Sequence, residues 1–145
     1  MIIGREQIAA LIPHAGAMCL LDGVLRWDEA SIGCVSSRHR AADNPLRREG
    51  GLSAICGVEF AAQAMAVHGR LAGSVDARPR SGYLASLRDV TCRAERLDLL
   101  DQDLIITAER LMGDAQRVIY RFAVHCAEIE LLSGRAAVVL DVSAA

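Results

Sequence analysis

Apolar and small residues run almost unbroken from Leu52 to Gly69, and Glu59 is the one charged residue among them. A segment that is apolar on every side reads as a buried helix, with Ser53 as a candidate N-cap. Upstream, Ile8, Ala9, Leu11 and Ile12 give a short amphipathic helix that Pro13 ends, and a turn-rich link runs on to Met18. Cys19 to Trp27 reads as a strand, Asp28-Glu29 as a turn, and Ser31 to His39 as the hairpin partner. Arg40 to Gly51 has no periodicity; it carries Asp43, Arg47, Arg48 and Glu49, together with Asn44-Pro45 and Gly50-Gly51. Beyond the apolar helix and a Gly/Pro/Ser link to Arg80, the pattern turns to alternation. Strands are expected over Tyr83 to Arg96, Leu104 to Met112, Gln116 to Ala127 and Glu128 to Val142. Gly113-Asp114 marks a hairpin turn, and Ser133-Gly134 a bulge or bend. In the third of these strands Val118, Tyr120, Phe122, Val124 and Cys126 share one face.

This order predicts an α+β domain spanning 1–145, with a curved antiparallel sheet wrapped around one long central apolar helix, the hotdog arrangement. Sheet would cover one side of the helix, and neighbouring segments or a second subunit the rest. A chain of 145 residues suits one domain with one core, and 52% hydrophobic but only 3% aromatic residues implies a core of Ala, Leu, Val and Ile.

The net charge of −2 offers no field for nucleic acid or membranes, although all 16 basic residues are arginine. Cys19, Cys34, Cys56, Cys92 and Cys126 are scattered and odd in number, which suggests neither a zinc site nor a disulfide framework and implies a reducing compartment. Ile8 to Leu21 is uncharged, but Pro13, His14 and Gly16 interrupt it and Glu6 spoils a basic leader. A cytoplasmic protein without a transmembrane span is expected.

An ionised carboxylate inside an apolar helix costs several kcal/mol unless compensated. Glu59 therefore needs a dedicated partner or does chemistry. Gln63 follows four residues later, on the same face one turn on.

Two segments carry a family resemblance. Leu11-Ile12-Pro13-His14 with Leu20-Leu21-Asp22 and Val24, and Glu59-Phe60-Ala61-Ala62-Gln63-Ala64, are similar to the signatures of the hotdog 3-hydroxyacyl-[acyl-carrier-protein] dehydratases. The combination of Asn44-Pro45-Leu46, Gly50-Gly51-Leu52, Gly57-Val58-Glu59, Ala62-Gln63-Ala64 and His68 most resembles the divergent branch associated with aryl polyene biosynthesis. The resemblance implies a substrate carried on the phosphopantetheine of an acyl carrier protein, with no metal and no further cofactor. It also implies a dimer, of like subunits or with another hotdog subunit. One departure matters: the family's catalytic loop histidine falls at Asn44 or Pro45 here, where there is none.

Dehydration takes a proton from C2 and gives one to the hydroxyl leaving C3, so it needs an acid/base pair. Glu59 is the expected carboxylate member of that pair. The thioester oxygen gains negative charge, and a backbone N–H near Ala54 or Ile55 at the helix start would meet it. His14 is the expected second group, against a structural role pinning the N-terminal segment. His39, at the mouth of the irregular loop, is the alternative.

Gln63 would orient Glu59. Asn44 would hold water or the substrate hydroxyl, or else form the turn before Pro45. Cys56 reads as core filler, His68 as a packing or interface residue, and His125 as exposed or at an interface. Arg47 and Arg48 are candidates for meeting an acidic carrier or a phosphate, or are simply solvated. Two other functions remain open: a hotdog thioesterase in which Glu59 activates water, and a non-catalytic partner subunit of a heterodimeric dehydratase.

Overall fold

The structure, a computed structural model, describes residues 1–12, 16–73, 82–114 and 116–140. Strand β1 (Ile3–Gly4) leads into helix α1 (Arg5–Leu11), and the hairpin β2 (Gly23–Trp27) and β3 (Ser31–Ser36) follows. Helix α2 (Gly57–Leu71) is preceded by one 3-10 turn, Ala54–Cys56. Strands β4 (Gly82–Cys92), β5 (Leu104–Gly113), β6 (Arg117–Cys126) and β7 (Ile129–Leu140) complete the order. All seven strands join one sheet in the order β1-β2-β3-β5-β6-β7-β4, every pair antiparallel.

The expected elements are thus present, with the two-residue β1 added. The expected shape is not. The sheet does not curve around the helix; it is open, with β1 and β4 at its edges. Helix α2 lies on one face and packs chiefly against β3, β5 and β6. Its width sets this limit. A helix is roughly 10 Å across and strands are about 4.8 Å apart, so one helix covers two or three strands. Strand β4 lies beyond that reach, and its Leu84, Leu87 and Val90 stay 37%, 39% and 36% exposed.

The core is where α2 meets the sheet. Phe60, Ala61, Ala64 and Val67 of α2 are buried against Ile32, Cys34, Ile106, Phe122 and Val124. The alternation in β6 is as expected: Val118, Tyr120, Phe122, Val124 and Cys126 are the buried set. The helix is not buried all round, however. Val58, Glu59, Ala62 and Ala66 form a half-exposed stripe, with Ile55 50% exposed at its start.

Two local expectations shift. Ser53 opens the 3-10 turn but makes no side-chain cap bond. Ser133-Gly134 is regular β7, pairing in register with Ala123 and Phe122. The irregularity sits opposite, in β4 between Arg88 and Thr91, where Asp89 takes a φ of 55°.

Candidate active site

Glu59 stands in the first turn of α2, half-buried, on the stripe that the sheet leaves uncovered. Gln63, one turn further on, is buried and polar. Its Nε2 donates to the Met18 carbonyl at 2.8 Å and lies 3.4 Å from Glu59 Oε1. Its Oε1 accepts from the Leu20 amide at 2.8 Å. One side chain thus ties the segment before β2 to the helix and places an amide beside the carboxylate. The same segment is pinned from β3, where the Ser36 hydroxyl donates to the Leu20 carbonyl at 2.5 Å and Asp22 accepts from the Ser37 amide and hydroxyl. These contacts join residues 15 to 45 apart in sequence, so no local pattern announces them. The Gln63 spacing was the one legible signal.

The donors at the helix start are partly committed. The Ala54 amide donates to the Glu95 carbonyl at 2.9 Å and the Cys56 amide to the Ser53 carbonyl. Ala54, one of the two expected oxyanion donors, is therefore spent on structure. The Ile55 amide lies between them at the exposed end of the helix.

The histidines divide. His14 lies outside the described residues. His39 does not reach out from its loop: it is fully buried, and its Nε2–H donates to the Leu100 carbonyl at 3.1 Å. Its Nδ1 has no hydrogen-bond partner among the described residues. Burial, then the neighbouring Arg40 charge, lowers its pKa, so the ring is neutral. His68 is also fully buried. Its Nε2–H donates to the Asp28 carbonyl at 2.9 Å, which leaves Nδ1 to accept from the Tyr120 hydroxyl at 2.7 Å. It locks the end of α2 to the β2–β3 turn and to β6. Burial lowers its pKa too.

Asn44 is likewise occupied: Oδ1 accepts from the Leu46 amide and Nδ2 donates to the Arg38 carbonyl, both at 2.8 Å. The loop before α2 is closed from below by Asp98, which accepts from the Leu52 amide at 2.9 Å and pairs with Arg96 and, at 3.9 Å, Arg47. The Arg96 guanidinium and then the Leu52 amide hold the Asp98 carboxyl well below the usual carboxylate range. Arg47 is thereby drawn inward, and Arg48 bonds the Pro45 and Arg47 carbonyls. Burial pushes the Cys56 thiol up, against a smaller opposing pull from Arg48, so Cys56 is no thiolate nucleophile.

A family profile described as ApeP-like, ApeP dehydratase, matches residues 6–143. The chain belongs to the ApeP-like dehydratase family. This agrees with the branch that the sequence resembles. No curated protein matches. Among solved structures, the dehydratase heterocomplex ApeI:P from Xenorhabdus doucetiae superposes with a TM-score of 0.79 at 22% identity, covering 94% of this chain and 91% of that one. A mutant thioesterase from Pseudomonas aeruginosa gives 0.63 at 12% identity, over 97% and 95%. A thioesterase from Haemophilus influenzae gives 0.60 at 8%, over 82% and 77%. At these identities the likenesses establish the hotdog-like fold, which dehydratases and thioesterases share. Among the described residues no helix is long and apolar enough to cross a membrane.

Proposed function

We propose that this ApeP-like chain is one subunit of a heterodimeric hotdog dehydratase acting on 3-hydroxyacyl thioesters carried by an acyl carrier protein. The observation that carries this reading is how the described residues are spent. Glu59 is held beside Gln63 on an uncovered stripe, while His39 and His68 are consumed in the core and the loop position of the family histidine, at Asn44 or Pro45, holds no histidine. The naming of a relative as a heterocomplex supports it.

In the reaction, a proton leaves C2 of the acyl chain, the C2–C3 double bond forms, and the C3 hydroxyl departs with a proton as water. Glu59 exchanges one of these protons, steadied by Gln63. The Ile55 amide meets the charge on the thioester oxygen. The second subunit supplies the other acid/base group, His14 being this chain's own contender.

The second subunit would seat on β4. Among the described residues that strand is a sheet edge, and it carries the exposed Leu84, Leu87 and Val90. The test is turnover of a 3-hydroxyacyl carrier, followed by mass and enoyl absorbance, with the chain alone and with a second hotdog subunit. Loss of water only in the mixture, abolished by Glu59→Gln in this chain, is the expected result. Full turnover by the Glu59→Gln mixture would overturn the role of Glu59. Full turnover by the chain alone would make it a self-sufficient enzyme, and free acid instead of enoyl product would make it a thioesterase.

A further inference from the structure

Helix α2 begins without a cap of its own. Among the described residues, neither Ser53 before the 3-10 turn nor Cys56 before the α-helix makes a side-chain cap bond. The entry of the chain is fixed instead by 95–98, the segment beyond β4. The Leu97 amide donates to the Leu52 carbonyl at 2.8 Å, and the Ala54 amide to the Glu95 carbonyl at 2.9 Å. Ser53 and Arg96 face one another between these bonds. Asp98 completes the clamp with a side chain only 3% exposed. Its Oδ1 accepts from the Leu52 amide at 2.9 Å and from Arg96 Nε at 3.1 Å, and its Oδ2 from Arg96 Nη2 at 2.5 Å.

The backbone rests directly on this ion pair. Gly51 takes a φ of 101°, and a Cβ on it would lie 2.5 Å from both Arg96 Nη2 and Asp98 Oδ2. Two backbone bonds already hold the crossing, so strand-like pairing alone does not call for a carboxylate withdrawn from water, which is costly to place. What the carboxylate adds is a rigid anchor for the Leu52 amide, three residues before Ile55. The 3-10 turn Ala54–Cys56 follows at once, and Glu59 stands in the next turn.

We propose that Asp98 is the positioning residue for the thioester oxygen: through the Leu52 amide it sets where the 3-10 turn holds the Ile55 amide. This rests on the dehydratase reading above and adds how this chain aims its donor without a helix cap. Asp98 touches no reacting atom. Its effect is on geometry, because a donor must already point at the developing charge to stabilise it, and a shift of about 1 Å can cost on the order of a hundredfold in rate.

The test combines amide hydrogen exchange in the full chain with turnover of a 3-hydroxyacyl carrier by the chain and a second hotdog subunit. In Asp98→Ala the Ala54 and Cys56 amides should exchange at least tenfold faster, while Phe122 and Val124 in β6 change far less. The kcat should fall at least tenfold with KM within twofold of the parent. Asp98→Asn keeps an acceptor for the Leu52 amide and should restore kcat to within threefold. Should Asp98→Ala not fold, Arg96→Gln releases the carboxylate from its main partner, and at least a threefold loss of kcat is expected. Unchanged kcat in the folded variants, or exchange quickened equally throughout the chain, would overturn the proposal and leave Asp98 a stabilising ion pair. Absence of turnover in the parent complex would overturn the dehydratase reading itself, and with it the assignment to the thioester oxygen.

Discussion

Gln63 shows how much one side chain carries. It satisfies two backbone groups of the segment before β2 and faces Glu59. Gln63→Ala strands the Leu20 amide and the Met18 carbonyl, so a loss of about 2–4 kcal/mol in denaturant unfolding is expected. Gln63→Glu keeps the acceptor for Leu20 but sets a carboxylate against the Met18 carbonyl and Glu59, and should cost at least as much. The buried histidines set the acid limit. Both His39 and His68 have folded pKa values below their ordinary 6.5, burial being the first cause in each. Between 6.5 and the lower folded value the unfolded chain binds more protons, so stability is full above about 6.5 and falls as pH drops through that window. The denaturant midpoint should decline from roughly pH 7.5 to pH 5, and His68→Gln should flatten the decline while lowering the plateau. An unchanged slope in that variant would remove His68 as a cause. Tyr120→Phe removes the hydroxyl that His68 Nδ1 accepts from, and should cost about 1–2 kcal/mol near neutral pH.

At the level of elements, alternation and helical apolarity revealed most of what was there to read. Strand β6 declared its buried face through Val118 to Cys126, and the charge-poor run from Leu52 declared α2. Partnerships across the sheet stayed hidden, because Ser133-Gly134 looks like a bend by composition alone. It is a site of close contact: a Cβ on Gly134 would lie 3.0 Å from the Phe122 ring, 3.1 Å from Val90 and 3.3 Å from the Arg88 carbonyl. The ring and backbone cannot all yield, so Gly134→Ala is expected to destabilise by about 1–3 kcal/mol in thermal or denaturant melts. A neutral effect would show that the β4 bulge at Asp89 absorbs the methyl. The candidate site divides in the same way. Glu59 and Gln63 were legible from charge and spacing, whereas the burial of His39 depends on Leu100, 61 residues away, and could not be read locally.

For the whole molecule, the deciding feature is surface that one chain cannot cover. Among the described residues the sheet is seven strands wide, α2 shields only its middle, and the wrapping expected from the element order is absent for want of a second layer over β4. Strand β4 runs for 11 residues as an edge, without the proline or dense lysine that commonly guard such strands. Its Leu84, Leu87 and Val90 are exposed, so a subunit added there would bury apolar area and, under the proposed function, help complete the site. Leu87→Arg separates these effects from folding. The side chain is 39% exposed in the single chain, so the isolated variant should melt within about 1 kcal/mol of the parent. In the complex the guanidinium would be buried without a partner, at a cost of several kcal/mol. Sedimentation of the variant with a second hotdog subunit should then show free chains at concentrations where the parent is fully assembled. Dehydration of the carrier-bound substrate should fall in parallel with assembly. If the variant assembles as the parent does, the second subunit docks elsewhere and β4 is a solvent edge. If it fails to assemble yet dehydration persists, catalysis belongs to one chain alone.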